Sequence, residues 1–196
     1  MKKTTYIAFI LTYCVVLAGS VVRMTGSGMG CPDWPKCFGL LIPPTSEEEI
    51  RWAPETDYSE GRMVIERDTL WVATEDHISK KEEFNTQNWK PYTRHNYAKF
   101  NAVHTWIEYL NRLAGALAGI PILLLFILAI RSRQRKPIVL ASATLGSVLF
   151  VSWLGKLVVD GNLIPFSITI HAVSALAILA FLVMLMQYFE GSKTAI

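Results

Sequence analysis

Acidic residues are scarce outside one segment of this chain, and cysteine is scarce throughout. Outside residues 24–101 the acidic residues are Glu108, Asp160 and Glu190. Three cysteines in 196 residues exclude a small fold stapled by several disulfides. One of them, Cys14, lies within an apolar run and is expected to be a small buried side chain. A content of 52% hydrophobic residues excludes a disordered polypeptide.

Charge is divided unevenly along the chain. Residues 24–101 hold nine basic and thirteen acidic residues, a net charge of −4, while the rest of the chain carries +7. The overall charge of +3 therefore conceals an acidic, polar block within a basic and apolar frame. This division excludes an ordinary nucleic-acid binder, whose basic residues line one face, so no nucleic-acid partner is expected. It predicts a small membrane protein with one large water-exposed segment.

Four apolar runs approach the roughly 20 residues that are needed to cross a hydrocarbon core. They are residues 6–22, 105–130, 138–159 and 163–189. The first run has a second interpretation, a cleaved secretory signal, because Lys2 and Lys3 precede an apolar stretch that ends in small residues. The three later runs favour a multi-pass protein.

The short loops predict the orientation. Residues 131–136 read Arg-Ser-Arg-Gln-Arg-Lys, so the positive-inside rule places this loop, with Lys2 and Lys3, in the cytoplasm. Residues 24–101 and the turn at 160–166 then face outward. The sequence thus predicts an all-α protein of the cytoplasmic (inner) cell membrane. It would be a bundle of four transmembrane helices with both termini cytoplasmic and a large extracytoplasmic insertion between helices 1 and 2.

The expected organisation has three parts. Residues 1–23 form the first transmembrane helix, residues 24–101 form an extracytoplasmic cap, and residues 102–196 form helices 2–4, which complete one four-helix bundle. Within the cap, residues 62–65 and 69–73 are candidate short strands. Their alternation of apolar and polar residues is weak, so we expect an ordered cap with irregular structure.

Ionisable side chains inside membrane segments are costly and indicate function by default. His104, Glu108 and Asn111 are spaced i, i+4, i+7 and so line one face of helix 2. Arg112 follows Glu108 by four residues, so a purely structural ion pair is the alternative. His104 and His171, on different helices, favour haem, because imidazole is the usual axial ligand of haem iron in helical bundles. Tetrahedral zinc is disfavoured, since no further His or Cys lies at a matching depth.

Cys31 and Cys37 frame the segment Cys-Pro-Asp-Trp-Pro-Lys-Cys directly after the first helix. In an oxidising compartment this segment predicts a short structural disulfide loop, and a pair that exchanges with a thiol carrier is the alternative. Residues 26–30 are similar to a phosphate-binding loop but follow no strand, so we expect a turn. His77 and His95 lie in the polar segment and are expected to be solvated.

Five stretches of the chain together resemble a known family. They read GSVVRMTGSG at 19–28, CPDWPKCFG at 31–39, WIEYLNRLAG at 106–115, GKLVVDGNLIP at 155–165 and TIH at 169–171. These stretches resemble the signature after the first helix, the second-helix motif and the third-to-fourth helix passage of the haem A synthase family, the Cox15/CtaA type of cytochrome oxidase assembly protein. The resemblance covers roughly residues 6–42 and 100–190, and the segment between them carries no motif of the family.

The resemblance implies an oxidoreductase. Haem A synthase oxidises the C8 methyl group of haem O to a formyl group by successive hydroxylations, giving haem A for the assembly of cytochrome oxidase. Family members have two similar four-helix halves, one assigned to substrate and one to an electron-relaying haem b, and this chain resembles the first. Because 196 residues are about half of the usual enzyme, a homodimer, a partner half or a missing C-terminal half is expected. Haem O synthase and the lipid bilayer are the further expected partners.

Site residues are carried over from the resemblance position by position. Glu108 corresponds to the catalytic glutamate at the reaction centre, and His171 corresponds to the fourth-helix ligand of the haem iron. Cys31 and Cys37 correspond to outer-loop cysteines, for which the resemblance implies a part in electron or haem delivery.

One position departs from the family pattern Glu-x-x-His-Arg, because this chain has Asn111 where the family has histidine. Asparagine is a poor iron ligand, so His104 on the same face is the expected replacement. At 1.5 Å per residue, however, Asn111 and His171 lie nearly level, while His104 lies about 10 Å further out. Helix tilt would close part of that gap. Arg23 and Arg112 fall where cations would pair with haem propionates.

Two alternative functions use the same residues. The first is a non-catalytic membrane cytochrome of the b type that passes electrons to a partner. The second is a haem-binding assembly subunit that needs a second chain. The departure at Asn111 favours the electron-transfer alternative.

Overall fold

The computed structural model describes residues 1–80, 83–93, 99–160 and 165–191. The described residues form four helices that are long and apolar enough to cross a membrane, as predicted. They are α1 (Lys2–Met24), α2 (Ala102–Ser132), α3 (Arg135–Asp160) and α4 (Pro165–Gly191). The expectation of an all-α protein is wrong for the segment between α1 and α2, whose described residues include five short strands.

The chain divides into two compact units. The helical unit comprises α1, the part of α2 from Leu110 onward, α3 as far as Val158, and α4. The strand unit comprises Thr25–Tyr109 and Val159–Asn162. The first two turns of α2 therefore belong to the strand unit.

The helical unit has an apolar core to which all four helices contribute. Its fully or nearly fully buried members are Ala8, Ile122, Leu125, Ala129, Ala141, Ile178, Leu182 and Leu185. Lipid tails are as apolar as leucine, so helices in a bilayer associate through close packing rather than through release of water. The three alanines meet that requirement, because small side chains let helix backbones approach.

Polar contacts gather at the end of the helical unit that carries the link between α2 and α3. The hydroxyl of Tyr6 donates to the carboxylate of Glu190, and Lys2 Nζ lies 3.8 Å from that same carboxylate. The link itself consists of Arg133 and Gln134. Arg133 adopts φ 56°, a left-handed conformation typical of the residue that ends a helix. Most of the basic stretch predicted as a loop is therefore helical.

The strand unit contains two small antiparallel sheets and a 3-10 helix at Glu47–Ile50. One sheet pairs β1 (Asp57–Tyr58) with β4 (His77–Ile78). The other has the order β2-β3-β5 and consists of Met63–Glu66, Thr69–Ala73 and Trp89–Pro91. The two candidate strands read from the sequence correspond to β2 and β3.

The sheet β2-β3-β5 is buried on both of its faces. Met63 and Leu70 face a core that includes the two loop cysteines and Phe38, whereas Val64 and Trp89 face a second, aromatic core. A strand that is buried on both faces reads as a continuous apolar run. The weak alternation in the sequence therefore reflects double burial rather than irregular structure.

Two single side chains depart from the expectations. Cys14 is exposed on α1 and not buried. His77 is half-buried rather than solvated, because its ring packs at centroid distances of 5.8 Å from Tyr58 and 5.2 Å from Trp89. His95 lies outside the described residues.

Two tight backbone contacts fix the segment that follows the disulfide loop. The carboxylate of Asp33 accepts the backbone N–H groups of Phe38 and Gly39 at 2.6 and 2.9 Å. Gly39 has φ 74°, and a Cβ added to it would lie 2.4 Å from the carbonyl oxygen of Gly61. The chain can pass this point because residue 39 has no side chain.

We expect Gly39→Ala to destabilise the protein much more than Gly61→Ala. Both glycines have positive φ, 74° and 80°, so both substitutions carry a strain of about 1–2 kcal/mol. A Cβ would meet neighbouring backbone at Gly39, whereas at Gly61 it would meet nothing within 4 Å. The apparent Tm in detergent should fall by roughly 5 °C more for Gly39→Ala. Equal shifts would show that the close approach is not significant.

Candidate functional site

The predicted disulfide is present at the start of the strand unit. Cys31 and Cys37 are bonded, their Cα atoms are 4.9 Å apart, and both residues are fully buried. The hydroxyl of Tyr92 donates to the carbonyl oxygen of Pro32 at 2.7 Å, which ties the loop to the chain beyond β5. The two cysteines are therefore part of a folded core and not an exposed thiol pair, while the middle of the loop is exposed.

The disulfide loop rests directly on the first two turns of α2. A Cβ added to Gly30 would lie 2.4 Å from the carbonyl oxygen of His104, closer than real contacts allow. The hydroxyl of Thr105 donates to the carbonyl oxygen of Gly30 at 2.8 Å. The turn predicted at residues 26–30 is present, with the N–H of Gly30 donating to the carbonyl of Ser27. Its contact with α2 was not predicted, because a spacing of glycines does not identify the backbone that a glycine approaches.

Glu108 is the buried acid of this region. It is 4% exposed, and its Oε2 accepts the backbone N–H of Cys31 at 2.9 Å. A carboxylate that leaves water requires such charge-assisted hydrogen bonds, which are about twice as strong as neutral ones. The sequence predicted that Glu108 is functional, but it did not predict that the disulfide loop supplies a donor.

His104 occupies the first turn of α2 and is half-buried. Asn101 precedes the helix, and its side-chain oxygen accepts the backbone N–H of His104 at 3.2 Å, an ordinary helix N-cap. His104 thus belongs to the strand unit, together with Glu108 and the disulfide.

The other predicted site residues belong to the helical unit. Arg23 is exposed in the last turn of α1, Arg112 is half-buried on α2, and Asn111 and His171 are half-buried on α2 and α4. The structure therefore groups Arg23, Asn111, Arg112 and His171 within one unit. It groups His104 and Glu108 within the other.

Three buried polar atoms of the helical unit have no hydrogen-bond partner among the described residues. They are Oγ1 of Thr12, Oδ1 of Asn111 and Nδ1 of His171. Each such atom costs about 1–3 kcal/mol when it is left without a partner. Buried polar atoms of this kind are satisfied in membrane bundles by an ordered water, an ion or a bound ligand.

A glycine lies beside two of these residues. A Cβ added to Gly155 would lie 3.5 Å from Cε1 of His171, and one added to Gly19 would lie 3.8 Å from Oδ1 of Asn111. Among the residues that the structure describes, no three His, Cys, Asp or Glu side chains are grouped to hold a metal ion. In the helical unit, a single histidine with an unpartnered ring nitrogen, His171, fits haem, whose porphyrin supplies four ligands and needs one or two from the protein.

Comparison with known proteins agrees with these residues. A profile of the COX15-CtaA family, described as cytochrome oxidase assembly protein, matches residues 2–61 and 59–195. The chain belongs to this family. Because the matched ranges include the strand unit, the comparison does not set that segment apart as an insertion.

Two curated relatives are similar to parts of the chain. A Heme A synthase of Shewanella oneidensis is 32% identical over 71 residues, which cover 34% of this chain and 22% of the relative. A Heme A synthase of Symbiobacterium thermophilum is 51% identical over 35 residues, 18% of this chain and 11% of the relative. The matched segments thus span less than a quarter of either relative.

We expect Cys31→Ala/Cys37→Ala to lower the free energy of unfolding by about 2 kcal/mol, because the closed loop is short. Alanine is chosen since both positions are fully buried and a serine would bury an extra hydroxyl group. Thermal unfolding in detergent measures the effect, with Cys14→Ala at the exposed free cysteine as control. A double variant as stable as the control would indicate that the disulfide is dispensable for the fold.

Proposed function

We propose that this chain is a haem A synthase, or the substrate-binding half of one, and oxidises the C8 methyl group of haem O to the formyl group of haem A. The observation that carries the proposal is Glu108, a buried carboxylate held by the Cys31 amide within the motif that resembles the family's reaction centre. Family membership and the two relatives named Heme A synthase support it.

His171 would be an axial ligand of the bound haem, and Arg23 and Arg112 would pair with its propionates. Haem supplies redox chemistry, while the protein supplies binding, orientation and exclusion of water. The unpartnered Nδ1 of His171 and Oδ1 of Asn111 support a polar ligand within the helical unit.

Glu108 would act on the substrate through its charge. A carboxylate held in place before the reaction stabilises positive charge that develops on the methyl carbon, or it orients a water molecule. The hydrogen bond from Cys31 fixes one carboxylate oxygen, so less reorganisation is needed during the reaction.

We place the protein in the cytoplasmic membrane, because the basic residues near Arg133 favour the cytoplasm. The N-terminus of α1 and the C-terminus of α4 would then be cytoplasmic, and the strand unit would be extracytoplasmic. Haem O synthase is the proposed supplier of substrate. A second copy of this chain, or a separate partner half, would complete the enzyme.

The two central residues should separate binding from turnover. His171→Ala should abolish haem binding, because it removes the axial ligand, while Glu108→Gln should retain haem and lose turnover. Haem content is measured by the pyridine haemochrome spectrum, and product by chromatography of extracted haems from cells that also express haem O synthase. Full turnover by Glu108→Gln would remove Glu108 from the mechanism.

A second pair of variants identifies the residue of α2 that approaches the iron. If His104 replaces the missing family histidine, His104→Ala should shift the Soret band and weaken haem binding, while Asn111→Ala should not. If Asn111 faces the haem instead, the two results should be exchanged. Spectra unchanged in both variants would mean that neither residue approaches the iron.

The departure at Asn111 favours one competing function, a b-type electron-transfer subunit without catalysis. Absorption spectra of the purified protein distinguish the two functions. Haem A or a hydroxylated intermediate supports the synthase. Haem b alone, despite co-expressed haem O synthase, would support the electron-transfer subunit instead.

A further inference from the structure

We infer that Thr105 and Gly30 are positioning residues for Glu108, because together they hold the Cys31 amide against its carboxylate. This inference rests on the proposed function for the catalytic part of Glu108. The contacts themselves lie within the strand unit and do not depend on it.

The hydrogen bond of Thr105 differs from those of other hydroxyl groups on the helices. Thr5, Thr144 and Ser152 each donate to the carbonyl four residues earlier in the chain. Thr105 is 1% exposed and donates instead to the carbonyl of Gly30, 75 residues away in the chain. Its hydroxyl thus joins α2 to the disulfide loop.

Gly30 makes that junction close. A Cβ at this position would lie 2.4 Å from the carbonyl oxygen of His104 and 2.6 Å from the backbone nitrogen of Thr105. Both contacts are with helix backbone, which cannot move aside as a flexible side chain can. Any residue larger than glycine would lift the loop away from α2.

The junction determines where the next amide points. Cys31 follows Gly30, and Glu108 lies one helical turn after Thr105, so the two pairs of contacts run in parallel along α2. With Gly30 seated on the helix, the N–H of Cys31 meets Oε2 of Glu108 at 2.9 Å. The disulfide closes the loop that begins at this amide. Its Cys31 Sγ also lies 3.8 Å from the carbonyl oxygen of Thr105, which adds a second contact with α2.

The first experiment tests the contact without any need for activity. Hydrogen exchange of the Cys31 amide is followed by mass spectrometry in the 196-residue chain in detergent. Thr105→Val and Glu108→Ala should each speed this exchange about tenfold, as expected for the loss of a buried hydrogen bond. Thr105→Ser, which keeps the hydroxyl, should exchange as the parent does.

Thr144→Val is the matched control, because Thr144 is also buried and its hydroxyl bonds within α3. It should leave the Cys31 amide unchanged. An equal rate of exchange in the parent and in Thr105→Val would overturn the inference. Gly30→Ala provides a second disruption of the same contact, and its Cys31 amide should also exchange faster.

The second experiment tests whether Thr105 acts through Glu108. Thr105→Val should lower kcat for haem O at least tenfold, with KM and haem content little changed, and Thr105→Ser should restore it. If Thr105 acts through Glu108, kcat of Thr105→Val should fall while its Tm and haem content stay close to those of Thr144→Val. A loss of Tm and haem content large enough to account for the lost turnover would show that Thr105 is merely structural.

The two experiments distinguish failure of the proposed function from failure of the positioning role. If the parent protein makes no haem A, the proposed function fails, and the exchange rates still decide whether the loop and α2 hold Glu108. If haem A is made and exchange is insensitive to Thr105, the positioning fails and the proposed function stands.

Discussion

The hydrogen bond between the Cys31 amide and the Glu108 carboxylate is the constraint on which the arrangement of the strand unit depends. A carboxylate that is 4% exposed has lost nearly all its water and needs donors from the protein. One donor, the Cys31 amide, is supplied by a loop that the disulfide closes and that Gly30 and Thr105 hold against α2. The cost of burying the acid therefore explains why so many tight contacts meet at one place.

The two units meet different physical requirements. In the helical unit, side chains such as Leu125 and Leu182 gain stability from packing, because lipid outside the bundle is no less apolar than its core. In the strand unit, water is the competing solvent, so burial of Val64 and Leu70 contributes about 1.5–3 kcal/mol each. In the strand unit, Glu108 thus lies beside a core that the hydrophobic effect stabilises.

The sequence predicted the parts of the structure that depend on composition and on local spacing. Four helices followed from apolar runs, and the Cys31–Cys37 bridge followed from a short loop between two cysteines. The sheet was only suggested, because double burial removes the alternation that identifies a strand. The contact of Gly30 with α2 and the hydrogen bond from Cys31 to Glu108 were not predicted, since each joins residues more than 70 positions apart. Whether His104 or Asn111 faces a haem iron stays a prediction.

The separation of 77 positions between Cys31 and Glu108 has a consequence for the order of assembly. A ribosome delivers the loop first and the acid later, with the strands β1–β5 between them. Before that segment folds, the amide and the carboxylate are not held together, because the entropic cost of closing a long loop opposes their hydrogen bond. The contact between the amide and the acid therefore depends on the fold of the segment between them. Substitutions that destabilise the sheets would weaken this contact as well, although the sheets contribute neither its donor nor its acceptor.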